Sequence, residues 1–194
     1  MELSFDDAVI STGNTNNYLE VGNHKVKVTK VEKGLSSKAQ SPYVEITVAD
    51  ERGYTCSQQY YLNTKVSEGK KQSAWNISSA AILTLVAAAN NTDEAGAKSK
   101  LAGMTGENID AKLASLLVGK AFGITLNGKW INPEDTAKSS WVKAEFGSYL
   151  FAVPADKMDK LSKKPYIKGE DFSATRSASQ ESPSGAIVAA ATAW

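Results

Sequence analysis

YVEITVADERGYTCSQQYY, residues 43–61, reads as a β-hairpin. Val44, Ile46 and Val48 alternate with Tyr43, Glu45 and Thr47, the period-two pattern of a half-buried strand. ADERGY supplies a short turn with Gly53 near its end. Beyond it Tyr54, Cys56, Gln58 and Tyr60 share one face, and Thr55, Ser57, Gln59 and Tyr61 share the other.

Working upstream, HKVKVTKVEK (24–33) sets Val26 and Val28 against Lys25, Lys27 and Thr29. The phase breaks at Lys30–Val31, where a bulge is expected. A polar loop, KGLSSKAQSP, joins this strand to the hairpin. Downstream, the basic stretch NTKVSEGKKQ (63–72) leads into a helix over 73–89, with Ser73 or Asn76 as its cap and Ile77, Leu83 and Val86 at helical spacing. Short helices are expected over 95–101 and 108–117. A fourth strand, LVGKAFGITLNG (117–128), turns Phe122, Ile124 and Leu126 inward and Ala121, Gly123 and Thr125 outward. NGKWINPEDTAKSS then reads as a loop. A fifth strand, WVKAEFGSYLFAV (141–153), sets Val142, Ala144 and Phe146 opposite Trp141, Lys143 and Glu145.

Three strands in a meander, helices, then two strands is the element order of the OB-fold, a five-stranded Greek-key barrel with helices between strands 3 and 4. The fold expected is therefore mainly β with a helical insertion. Four segments follow: an acidic N-terminal arm (1–22), the OB-fold domain (23–153), a basic C-terminal extension (154–172) and a flexible Ser/Ala-rich tail (173–194) ending in Trp194.

Composition narrows the chemistry. One His and one Cys cannot supply the roughly four ligands of a structural zinc site. No P-loop, GxSxG or H-x-E with CxxC motif is present. Acidic pairs at Asp50-Glu51 and Glu134-Asp135 fall in turn-like segments, where acids are usually solvated. The expectation is no enzyme and no cofactor. His24 is expected to be an ordinary surface residue. The N-terminus lacks the basic and apolar regions of a signal peptide, and no apolar run approaches the about 20 residues of a bilayer span. A lone cysteine suits a reducing compartment, so a cytoplasmic location and no membrane partner are expected.

The net charge of +1 conceals segregation. The first twenty residues carry four acids and no Lys or Arg, whereas residues 24–71 hold nine cations against five acids. Single-strand binding requires cations along a phosphate path and aromatic faces for bases. The candidate nucleic-acid contacts are Lys25, Lys27, Lys30, Lys38, Lys65, Lys70, Lys71, Lys129 and Lys143, with Tyr43, Tyr61, Trp130 and Trp141 as stacking faces. Trp130, in what reads as a polar loop, is the sharpest of these. Tyr54, Tyr60 and Trp75 read as core.

HKVKVTKVEKG, SPYVEITVADERG and LLVGKAFGITLNGKW together resemble the strands of phage-encoded OB-fold single-stranded-DNA-binding proteins, over roughly residues 20–152. The resemblance implies non-catalytic, non-sequence-specific coating of single strands in phage DNA replication, recombination or repair, in a bacterial host's cytoplasm. Single-stranded DNA is the implied partner, with RNA as a second polymer of the same kind, and assembly into oligomers stays open. Many such proteins recruit replication or recombination partners through an acidic C-terminal tail. Here Glu181 is the one acid after Asp171, which puts that recruitment in doubt. The alternative reading is an OB-fold protein-interaction module, a phage factor that binds a host replication, repair or defence protein.

Overall fold

The computed structural model describes residues 18–131, 141–146, 150–161 and 167–168. Along them run β1 (Gly22–Leu35), β2 (Pro42–Ala49), β3 (Thr55–Tyr61), α1 (Ala74–Ala89), α2 (Glu94–Leu101), α3 (Ile109–Leu117), β4 (Ala121–Ile131), β5 (Trp141–Glu145), β6 (Phe151–Pro154), a 3-10 turn (Ala155–Lys160) and β7 (Ile167–Lys168). The protein is mainly β, and its helices enter between the third and fourth strands as expected.

The hairpin that opened the reading is β2–β3, registered from Tyr43↔Tyr61 to Ala49↔Thr55. The Asp50 carboxylate builds its turn by accepting from the backbone N–H groups of Arg52 (3.0 Å) and Tyr54 (2.9 Å). Gly53 sits at φ +84°, a conformation that side chains with a Cβ resist.

β1 has two sets of neighbours. Its first half pairs antiparallel with β4, from Gly22↔Leu126 to Lys27↔Ala121. Its second half pairs antiparallel with β2, from Lys27↔Ala49 to Leu35↔Pro42. The register slips between Val28 and Lys30, slightly earlier than the expected bulge at Lys30–Val31. Val28 is held from the helical side, donating to Lys120 O (3.2 Å) and accepting from Gly119 N (2.9 Å). The extra residue keeps Val26, Val28 and Val31 on the core side despite the break in alternation.

Val26, Val28, Val44, Ile46, Val48, Phe122, Ile124 and Leu126 are buried and form the sheet's share of the core. α1 contributes Ala81, Ile82, Leu85 and Val86, and α3 contributes Ile109, Leu113 and Leu117. Each large aliphatic side chain buried this way stabilises the fold by about 1.5–3 kcal/mol. α1 starts at the expected cap, Ser73, and α2 starts at Asp93. Ser73 Oγ accepts from Asn76 N (3.2 Å), and Asp93 Oδ1 from Gly96 N (2.8 Å).

Three expectations are corrected. First, the barrel was expected to have five strands, but seven are present among the described residues. The stretch expected as one fifth strand is two: β5 pairs with β4 at Asn127–Ile131, and β6 pairs with β4 at Phe122–Thr125. Gly147-Ser148, a breaker pair, lies between them in the sequence. Second, β4 has no outward face along Phe122–Gly128. Gly123, Thr125 and Asn127 are buried as well, and Val153, Met158 and Leu161 pack against Gly123. Thr125 Oγ1 donates to Asn23 Oδ1 (2.7 Å), and Asn23 Nδ2 donates to Leu161 O (3.1 Å). Residues 154–161, expected to begin a basic extension, thus belong to the packed unit. Third, the order β3–β2–β1–β4–β5 is open: among the described residues no backbone ladder joins β3 to β5. The expected arm at 1–17 and tail at 173–194 lie outside the described residues.

A Cβ on Gly123 would press on Met158 Sδ and come within 2.9 Å of Leu161 Cδ1 and 3.0 Å of Val153 Cγ2. Gly123→Ala is therefore expected to lower stability by about 1–3 kcal/mol in urea unfolding. Gly106→Ala, where nothing lies within 4 Å, should stay within about 0.5 kcal/mol of the parent.

Candidate nucleic-acid interface

Cross-strand partners share a face, so the registers of β1–β2–β3 define the outer surface row by row. Nearest the β2–β3 turn stand Lys27, Ala49 and Thr55, and then Thr47 and Ser57, whose hydroxyls are hydrogen bonded at 2.8 Å. Next come Glu32, Glu45 and Gln59. At the far end come Gly34, Tyr43 and Tyr61.

That last row is an aromatic platform. The Tyr43 and Tyr61 rings meet edge to face, with centroids 6.1 Å apart and planes at 72°. The Tyr43 ring lies over the bare backbone of Gly34, where a Cβ would fall 2.6 Å from Cζ and Oη. Tyr43 is half-buried, and Tyr61 keeps 36% exposure. Leu35, at the same end, is 60% exposed. Gly34, Glu45 and Gln59 were missed by sequence reasoning. A glycine at the end of a strand, followed by an aromatic opening the next, was the signal for the platform.

The platform is set among cations. β1 and β3 end where β2 begins, so the β1–β2 loop carrying Lys38 and the β3–α1 loop carrying Lys65, Lys70 and Lys71 leave from one end. Asn63 Nδ2 ties the loops together by donating to Ser41 Oγ (3.3 Å). All four lysines are exposed. Lys25 and Lys27 stand exposed further back on β1. Lys30 is placed on the same face but its ammonium is bridged to Glu32 at 2.8 Å. Lys33, part of the local positive excess, is turned to another purpose: it donates to the carbonyls of Gly106 (3.3 Å) and Glu107 (2.9 Å) ahead of α3.

The remaining candidates are not brought to this end. β4 runs past the first residue of β1, so the β4–β5 hairpin projects from the opposite end of the sheet. Lys129 and Lys143 face each other across it, both exposed, and Lys168 of β7 takes the next register position beside Lys129. Trp130 is corrected. It lies in β4 rather than in a loop, opposite Val142 and on the side of Gly128 and Leu126. It is half-buried, and its Nε1 is buried without a partner among the described residues. Trp141 lies in β5 opposite Ile131; its side chain is outside the described residues.

The core aromatics behave as expected. Tyr60 is buried and burial pushes its hydroxyl pKa up. Tyr54 packs against the core with the Arg52 guanidinium 4.5 Å above its ring. Cys56 is buried against β5, its Sγ 3.6 Å from Ala144 O, and burial pushes the thiol up to about 12. No three of His, Cys, Asp and Glu gather into a metal-holding group among the described residues. No helix among them is long and apolar enough to cross a membrane.

His24 is half-buried rather than a plain surface residue, with Nε2 2.8 Å from Glu20 O. Burial lowers its pKa below 6.5, although the Glu20 carbonyl and the Asp50 carboxylate act the other way. The folded state resists a proton that the unfolded chain accepts. Stability present above pH about 6.5 should therefore decline as pH falls, then level off once the folded imidazole is charged. Urea midpoints from pH 8 to 5 should show this slope reduced in His24→Gln. No family model and no curated protein matches the chain.

Proposed function

We propose that the chain is a non-catalytic single-stranded-DNA-binding protein of OB type that serves DNA replication, recombination or repair, with a phage acting in its host's cytoplasm as the setting its sequence resembles. The supporting observation is the Tyr43–Tyr61 platform over Gly34, at the one end where two loops present Lys38, Lys65, Lys70 and Lys71. Bases stack on such rings with little regard to sequence, and the lysines accept the phosphates. Double-stranded DNA hides its base faces and lacks that contribution.

The OB reading draws on topology. The helices stand between β3 and β4, β4 returns to β1, and the β4–β5 hairpin carries β5 back toward β3. The Cys56 Sγ to Ala144 O contact at 3.6 Å brings a β3 side chain against the β5 backbone and supports that reading. Residues around strands 2 and 3 are where the class binds oligonucleotides.

Fluorescence anisotropy of a labelled oligonucleotide tests the proposal. Affinity is expected to fall steeply with salt, with a log–log slope near −0.7 per phosphate neutralised. Tyr43→Ala should cost about 1–3 kcal/mol. Lys70→Ala should weaken binding to all sequences alike and flatten the salt slope by about 0.7. Absence of binding at low salt would overturn the proposal.

A further inference from the structure

Resting on that reading of the face, we infer that Glu45 makes it select bases bearing an amino group over thymine. Glu45 stands between the aromatic row and the hydroxyl row on β2, two residues from Tyr43 and so about 7 Å along the strand. A base stacked on the tyrosines leaves its neighbour above Glu45.

The surroundings decide what Glu45 offers. Gln59 Nε2 donates to Glu45 Oε2 (2.9 Å), and Tyr61 Oη donates to Gln59 Oε1 (3.3 Å). The carboxylate is thereby tied to the platform, and its second oxygen, Oε1, has no partner among the described residues. Among the described residues no salt bridge neutralises it, since the nearby Lys30 bridges to Glu32 instead. An uncompensated carboxylate repels phosphate, so the sugar–phosphate chain belongs over the loop lysines and the base edges over Glu45. A carboxylate accepts hydrogen bonds and donates none. Cytosine N4, adenine N6 and guanine N2 present amino N–H donors to it, whereas thymine offers a single N3–H set between two carbonyl oxygens, O2 and O4, whose lone pairs oppose the carboxylate.

The test is anisotropy titration of the full chain with dC and dT homopolymers of equal length at low salt. The dC oligomer is expected to bind about tenfold tighter. Glu45→Gln keeps the shape, removes the charge and adds a donor. It should tighten dT binding and bring the two affinities within about twofold. An oligomer of N4,N4-dimethylcytosine, which lacks the amino hydrogens, should lose the dC advantage on the unaltered chain, a readout independent of any variant's folding. Equal affinity for dC and dT, or a preference that survives Glu45→Gln or dimethylation, overturns the inference while leaving single-strand binding intact. Failure to bind either homopolymer overturns the single-strand reading and this inference with it.

Discussion

Between Lys27 and Lys30 the backbone of β1 passes from one neighbour to another: β4 lies beside the residues before, β2 beside the residues after. Hydrogen bonds from Gly119 and to Lys120 hold Val28 at the crossing. A strand with unbroken alternation would turn Val31 away from the core, because one residue of slip exchanges the two faces. The slip at Val28–Lys30 prevents this. It also sends the two halves of β1 into different surroundings. One half lines up with β2–β3 and its tyrosines, the other with β4, whose far end carries Lys129 opposite Lys143 of β5. The separation of the two lysine groups follows from this one exchange.

β4 is the second constraint. It has a neighbour on each edge along its length: β1 and β6 beside its first half, β5 and β7 beside its second. Along Phe122–Gly128 both its faces are covered too, which the glycines allow. A side chain at Gly128 would fall 2.7 Å from Val142 Cγ1 and 2.8 Å from Val21 Cγ2. Interiors packed at crystal-like density have no slack for such atoms. Gly123 and Gly128 therefore set how closely the surrounding strands and turn approach.

The local grammar of the chain was legible. The β2–β3 turn, the Ser73 cap and the alternation of Val44, Ile46 and Val48 all act within a few residues, and the sequence displays them directly. The misreadings share a cause. Gly123 looks outward-facing and Asn127-Gly128 looks like a turn until Met158, Val142 and Val21, all distant in sequence, are seen against them. Trp130 inherited its loop assignment from that apparent turn. Lys33 could not be told from its neighbours because its partners, Gly106 and Glu107, lie more than seventy residues away. At the site, cation type and aromatic type were visible, but which residues share an end of the sheet is decided by strand register.

The pairing of β1 with β4 also has a history during synthesis. Asn23 and Thr125, joined side chain to side chain, are 102 residues apart. At translation rates of about 5–20 residues per second, the first half of β1 waits roughly 5–20 s for its partner to emerge. Through that interval the edge of β1 that β4 covers, Gly22–Lys27, is open to wrong strands. Contacts of such long range also place the closure of β1 on β4 late and slow in folding. The half of the molecule that carries the tyrosine platform is complete in sequence well before the half that locks its core.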